Sequence, residues 1–391
     1  MMLRRWYSLM LLGLVIPGAN AVGQEQDTIV GRPFVRGGVY DRPYLTQLLG
    51  RTAIGGYAEM HVRWQRVDGV TEERGFELKR WNLFTATDVS DFVRISAELE
   101  FEDGGEEVRI EFAAIDFRVA PSLTIRGGML LSPLGRFNLA HDSPLNEFTD
   151  RPLASTELLG AALSEPGLGA LGVLPIGLTG RVTYEVYVVN GFHDGLINDS
   201  PDGTRVALGR GNFEDNNASP AVVGRVTWSP NLDLEIGFSG HHGAYNVYDD
   251  EGLAVDERRD LTIVAIDVDA TLGPFRVMGE AATVDIDVPT TLTPLFAGSQ
   301  RGLYIEAMHD FGRQWVTTMP QSFFSVGLRF DVIDLDSDLP GDNTRQVTAG
   351  INFRPTPDTV FKLNYIRGTS RDRFNNPADH GGFLFSMATY F

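Results

Sequence analysis

The residue types that could do chemistry are scattered, and few of them are spaced for it. His141-Asp142-Ser143 holds the three types of a hydrolase triad, but neighbours in sequence cannot supply triad geometry. Asp334-Leu335-Asp336-Ser337-Asp338 resembles part of a calcium loop without the glycine and later glutamate such a loop needs, and reads as a solvated loop. His241-His242 has no carboxylate or cysteine at ligand spacing. There is no phosphate-binding glycine loop and no dinucleotide motif. No cofactor, metal or catalytic set is expected, and the chain is read as a non-enzyme.

A different use of charge is legible once the elements that must position it are considered. In Thr52 to Val67, Ile54, Ala58, Met60, Val62 and Trp64 alternate with Tyr57, Glu59, His61, Arg63 and Gln65. That period of two belongs to a strand with one apolar face, and the segment is long for a soluble strand of about five or six residues. The pattern repeats. Val93, Ile95, Ala97, Leu99 and Phe101 oppose Arg94, Ser96, Glu98 and Glu100, and Val264, Ile266, Val268 and Leu272 oppose Asp267 and Asp269. In Glu107 to Val119 the apolar phase passes from Val108, Ile110 and Phe112 to Ile115, Phe117 and Val119, which predicts a bulge near Ala113-Ala114. The chain ends GGFLFSMATYF, with Phe383, Phe385, Met387 and Phe391 in one phase. An apolar terminal strand is an aggregation-prone edge in water and an ordinary closing strand in lipid.

Composition agrees. The 391 residues have a net charge of -19, no cysteine, 43 glycines, 20 prolines and a mean hydropathy of -0.09. The charge argues against a nucleic-acid partner. The absence of cysteine excludes disulfides and thiolate chemistry. Arg4 and Arg5, the apolar run Leu9 to Ile16 and Ala19-Asn20-Ala21 have the pattern of a secretory signal peptide over residues 1–21, whose removal leaves -21. No stretch approaches the continuous apolar length of a membrane helix, so strands must make any membrane contact.

The expected organisation is therefore a signal peptide (1–21), an amino-terminal lead (22–50) lying below the barrel or entering it, and an all-β transmembrane antiparallel barrel (51–391). Within the lead a short helix over 43–49 is considered. Tight turns alternate with long polar segments at 193–219, 245–259, 285–300, 333–344 and 367–380, the layout of a membrane barrel. Strand candidates number fifteen or sixteen, giving sixteen strands, with fourteen or eighteen as alternatives. Residues 132–178 form the longest interruption and are expected to fold into the lumen as a constriction loop, with a helix over Leu153 to Ser164. Candidate pore-lining or constriction residues are Arg63, Arg94, Glu98, Arg126, Arg136, Asp142, Glu147, Asp150, Arg151, Arg329 and Lys362, with His141 and Glu157 also on the loop. Glu59, Glu100, Asp233, Glu235 and Asp267 are expected to share the inward face, each arginine pairing with a neighbouring acid.

A family resemblance rests on the strands FELKRWNLF, RISAELEFED and EFAAIDFRV with its Asp116, on IRGGMLLSPLGRFN, and on VVNGF at Val188 to Phe192. Residues 76–192 resemble the phosphate-selective (O/P-type) porins of the bacterial outer membrane. The resemblance implies a sixteen-stranded, trimeric diffusion channel for small, hydrophilic, charged solutes. It would be surrounded by outer-membrane lipid and lipopolysaccharide. The terminal Phe391 resembles the signal read by the barrel-assembly machinery. Phosphate or another anion stays open as the solute but is not fixed by the resemblance, since lysine occurs only at Lys79 and Lys362 and the charge without residues 1–21 is -21. A plugged structural or adhesive barrel and a barrel hydrolase are the alternatives.

Overall fold

The computed structural model describes residues 35–39, 41–42, 46–47 and 51–391. The expected signal peptide lies outside them. So does most of the helix considered over 43–49, of which Thr46–Gln47 is extended and pairs with the start of the first barrel strand.

Sixteen antiparallel strands close on themselves. They are β1 (Thr52–Val67), β2 (Val70–Asp88), β3 (Val93–Glu102), β4 (Glu107–Ala120), β5 (Leu123–Leu131), β6 (Ser164–Ile176), β7 (Gly180–Val189) and β8 (Ala221–Asn231). They continue with β9 (Leu234–Ala244), β10 (Asp260–Leu272), β11 (Phe275–Ile286), β12 (Ser299–Phe311), β13 (Phe323–Asp334), β14 (Asn343–Thr356), β15 (Thr359–Arg371) and β16 (Pro377–Tyr390). Each pairs with its neighbours in sequence, and β16 pairs with β1 from His380↔Val67 to Tyr390↔Tyr57. Closure leaves no unpaired edge, as hydrocarbon requires. At the seam Phe391 and Gly56 exchange backbone hydrogen bonds of 2.9 and 3.0 Å. Gly56 is required there, because a Cβ would lie 2.2 Å from the Asn82 carbonyl oxygen and 2.6 Å from the Phe391 ring. That ring stacks on Trp81 at 5.9 Å.

Seven connections at one end are 89–92, 121–122, 177–179, 232–233, 273–274, 312–322 and 357–358, and the carboxyl terminus lies there too. The opposite end carries 68–69, 103–106, 132–163, 190–220, 245–259, 287–298, 335–342 and 372–376. The short-turn end is the periplasmic side and the long-loop end the extracellular side of such a barrel.

Burial is inverted relative to a soluble protein. Ile115, Leu168, Phe238, Leu328 and Phe383 are more than half exposed on the outside, whereas Asn82, Glu98 and Lys362 are fully buried inside. An aromatic girdle rings part of the short-turn end, with centroid distances of 5.0 Å for Phe275–His309, 6.4 Å for His309–Phe311, 5.8 Å for Phe311–Phe324 and 4.9 Å for Phe324–Phe353. An exposed apolar wall bounded by aromatics is stable only with lipid as its solvent.

Several expectations need correction. The interruption is 132–163, not 132–178, because Ser164–Ile176 is itself a barrel strand, β6. Its glycines and prolines hide the alternation, and they are there for space: a Cβ at Gly169 would meet the Val186 carbonyl oxygen at 2.0 Å, and one at Gly172 the Ser122 carbonyl oxygen at 1.9 Å. The helix over Leu153 to Ser164 shrinks to one wide turn, Ala154–Leu158. The β4 bulge falls where Glu98↔Phe112 gives way to Leu99↔Ile110, so Glu111 is the extra residue and Phe112 points inward. Residues 367–380 are mostly strand, with only 372–376 as loop. Asp233 sits in the exposed 232–233 turn, outside the lumen lining.

Candidate functional site: the filled lumen

Inward polar residues are what strand alternation dictates, but they do not face open water. The 132–163 loop turns into the barrel and is laced to the wall. Asn138 ties its two ends together, donating to the carbonyls of Ser132 (2.7 Å) and Leu163 (2.9 Å) and accepting from Leu163 N–H (2.7 Å). Gly135, at φ +72°, lets the chain turn where a side chain would strike Glu280. Glu280 accepts from Phe137 N–H (3.2 Å) and Ser155 Oγ (2.8 Å).

From there the loop follows β13 to β16 and β1. Lys362 Nζ donates to the Ser143 and Phe148 carbonyls at 2.8 and 3.4 Å. Arg354 donates to the Pro144 carbonyl (2.8 Å), and Asn352 to the Glu147 carbonyl and Oε2, both at 2.9 Å. Thr149 N–H donates to Asn364 Oδ1 (2.7 Å), and Arg329 Nη1 to the Asp150 carbonyl (2.8 Å). Leu153 N–H donates to Asp331 (3.1 Å), and Asp150 pairs with Arg63 at 2.5 Å. The loop's apolar residues, Leu134, Leu139, Leu158, Leu159 and Leu163, are buried with Leu196, Ile197 and Val206 of the 190–220 loop. Leu261, Ile263, Val284 and Ile286 on the inner wall complete this core at the extracellular half. The interior is therefore not polar throughout.

The amino-terminal lead joins the same packing. Arg42 reaches Asp142 through Nε and Nη2, both at 2.9 Å, and Glu98 at 2.5 Å, with its guanidinium 4.0 Å from the Phe84 ring centroid. Burial opposes the Arg42 charge, but Asp142 and Glu98 outweigh it and hold its pKa well above the usual arginine range. Tyr390 Oη donates to Asp142 at 3.0 Å, so lead, loop and closing strand share one carboxylate. On the loop, burial works to raise the Glu147 carboxyl, yet Arg354 and Arg276 hold it below its ordinary value. Burial lifts Glu157 above its own, against Arg205 and Arg210.

Elsewhere the wall pairs with itself. Arg126 makes a bidentate contact with Asp116 at 2.7 and 2.9 Å. Arg181 meets Glu235 at 3.2 Å. Arg225 meets Asp267 at 3.1 and 2.6 Å and Glu235 at 3.6 Å. Arg80 contacts Glu59, Glu100 and Glu102 within 3.1 Å.

A cavity of about 110 Å³ is left between the lead, the loop and β11–β13. Arg136, Glu147, Asp150 and Arg329, four of the candidates named from sequence, line it with Arg36, Arg276 and Glu306. Leu145, Glu147 and Arg276 also border a wider recess of about 560 Å³ opening beside the periplasmic turns 273–274 and 357–358. Arg63 reaches the cavity through Asp150. Glu98, Arg126, Asp142 and Lys362 lie off it, committed to the contacts above. Arg94 sits at the short-turn rim, 3.8 Å from Asp88. Arg151 is half-buried, and its carbonyl accepts from Arg329 at 3.4 Å. Sequence reasoning did not single out Arg42, Arg276, Glu306 or Arg354. The last three could have been found by carrying the inward phase along β11, β12 and β14; Arg42 has no periodic signal.

The adjacent His141, Asp142 and Ser143 diverge. His141 lies between Glu111 and the Asn138 carbonyl (2.9 Å), Asp142 takes Arg42, and Ser143 donates to Glu59 at 2.5 Å. His241 faces inward to Glu165 and His242 outward to Thr262. Among the described residues no group of three or more His, Cys, Asp or Glu is arranged to hold a metal ion.

No family model matches the chain. An Aquifex aeolicus (strain VF5) protein described as uncharacterized is 24% identical over 351 residues, spanning 83% of this chain and 77% of the relative. Among solved structures, an anion-selective porin from Comamonas acidovorans superposes with a TM-score of 0.56 at 12% identity, covering 87% of this chain and 99% of that one. The outer-membrane channel DcaP of Acinetobacter baumannii gives 0.55 at 11% identity, covering 89% and 100%. A trimer form of OmpT from Vibrio cholerae gives 0.52 at 10%, covering 87% and 100%. At these identities the likeness is one of fold: the chain is an outer-membrane β-barrel with the architecture of the porins.

Proposed function

We propose that this barrel is a narrow passive channel for small hydrophilic ions and solutes, with the inward loop and the amino-terminal lead setting the passage. One observation carries the reading: the cavity bordered by Arg136, Glu147, Asp150 and Arg329 adjoins the periplasmic recess at Leu145, Glu147 and Arg276. Such a passage needs no chemical step, and we read the chain as a non-enzyme. Its lining alternates in sign, and its arginines have acid partners: Arg136 meets Asp269 at 3.0 Å, Arg276 the same carboxylate at 3.1 Å, and Arg329 Asp331 at 2.8 Å. An anion filter needs unneutralised rings of arginine or lysine. Phosphate selectivity is therefore not the favoured reading, and the acidic excess of the chain favours cations weakly. We also read the protein as a trimer, inserted by the assembly machinery through Phe391.

A second reading is favoured by a specific observation, the near-complete burial of inward groups such as Glu98, Asn82 and Lys362. A barrel plugged at rest would show the same. Single-channel recording in a planar bilayer under a salt gradient separates the two. Small stable steps with a cation-favouring reversal potential are expected. A folded barrel that stays silent at all voltages would establish the plug.

A further inference from the structure

The outer face of β10–β14 carries a groove of about 680 Å³ that the channel reading does not use. Its floor is a row of successive cross-strand neighbours, Ile266, Ala281, Leu303 and Val332. Ala281 is the small member between two large ones, so the surface dips there, and Phe238 stands at one side. The row continues to Arg345, the cross-strand neighbour of Val332. Arg345 is exposed on the outer face, and its guanidinium has no carboxylate or hydrogen-bond partner among the described residues. Arg301 lines the same groove, held to Asp334 at 3.0 Å with 66% of its side chain exposed.

The level of these arginines identifies what faces them. Arg345 and Phe353 lie on the same face of β14, with Phe353 in the periplasmic girdle. Eight residues of strand span about 26 Å, which tilt reduces to about 20 Å along the membrane normal. The guanidinium groups therefore stand near the outer-leaflet headgroups, directly above an apolar groove. An arginine fork is complementary to phosphate.

The geometry points to a bound lipid of the outer leaflet, a phosphorylated glycolipid of the lipid A class. One acyl chain lies in the groove over Ala281, and a phosphate sits on Arg345 with Arg301 beside it. The site depends on the barrel spanning the outer membrane and not on whether the lumen conducts.

Native mass spectrometry of the full barrel in detergent tests it, with heat-modifiable gel mobility as the check of folding. The wild type is expected to hold one bisphosphorylated lipid A at least tenfold more tightly than dephosphorylated lipid A or phosphatidylglycerol, a comparison that needs no variant. The double variant Arg301→Gln/Arg345→Gln is expected to lose that preference. Ala281→Phe should weaken retention by filling the groove, and Arg118→Gln at the opposite rim should leave it unchanged. Equal retention of all three lipids overturns the proposal, as does unchanged preference in the double variant. So does a variant-sensitive association between copies of the chain in place of a lipid adduct.

Discussion

The two sides of the lumen use the same residue types differently. On β4–β10, arginines and acids mostly close on one another along the wall: Arg126 on Asp116, Arg181 on Glu235, Arg225 on Asp267. On β11 and β13–β15, wall side chains reach across to loop backbone: Glu280, Arg329, Asp331, Asn352, Arg354, Lys362 and Asn364 each hold a loop N–H or carbonyl, while Arg63 on β1 and Ser386 on β16 meet the loop side chains of Asp150 and Thr149. The self-paired side closes most of its charges without the loop, which meets it at Glu111, Ser239 and Asp269. The other side is finished only by the loop, and there the residual cavity lies. Stability and conduction should therefore separate by side.

Breaking a self-paired contact should have the largest effect on stability. Arg225→Met leaves Asp267 buried without its main partner, at a cost of about 3–5 kcal/mol. The expected readout is a lowered urea midpoint with single-channel conductance unchanged; altered conductance would mean the self-paired side is part of the passage. Lys362→Met removes two buried carbonyl contacts of the loop, about 3 kcal/mol at ~1–3 kcal/mol each. It should enlarge conductance steps while the barrel keeps its heat-modifiable mobility.

Acid should act on the loop through Glu147, whose carboxyl is held below its ordinary value. A depressed carboxyl contributes stability that is present above its unfolded pKa, about 4.3, and lost as pH falls through the folded value. Steps should thus enlarge below about pH 4, and Glu147→Gln should remove that dependence. A pH-insensitive wild type would break the link between Glu147 and the passage. Glu157 runs the other way. With its carboxyl raised, its ionisation opposes folding as pH rises beyond its unfolded value, so Glu157→Gln should stabilise the protein slightly at neutral pH, by under about 1 kcal/mol. A lower denaturation midpoint in that variant would contradict the sign.

Most of the barrel was legible because lipid-facing strands impose a period of two that survives in sequence. Tyr57, Glu59 and His61 fall inward and Met60, Val62 and Trp64 outward by alternation alone. β6 was missed because close packing against β7 and the 121–122 turn demanded glycine where an apolar side chain would have carried the signal. The site was half legible. Arg136, Glu147, Asp150 and Arg329 could be named from charge and phase, but which inward residues line a passage depends on where the loop backbone passes. That path is set by hydrogen bonds to loop N–H and carbonyl groups, which every residue type offers. Arg42 illustrates the limit: its partners Asp142 and Glu98 come from a loop and a strand far along the chain, and no local pattern announces them.

The most direct test of the central claim is the single-channel conductance of Lys362→Met beside the wild type in the same bilayer. Small, stable wild-type steps that become larger in the variant, with both proteins folded, are expected if the loop laced to β11–β16 sets the passage. Identical steps in the two proteins would contradict it.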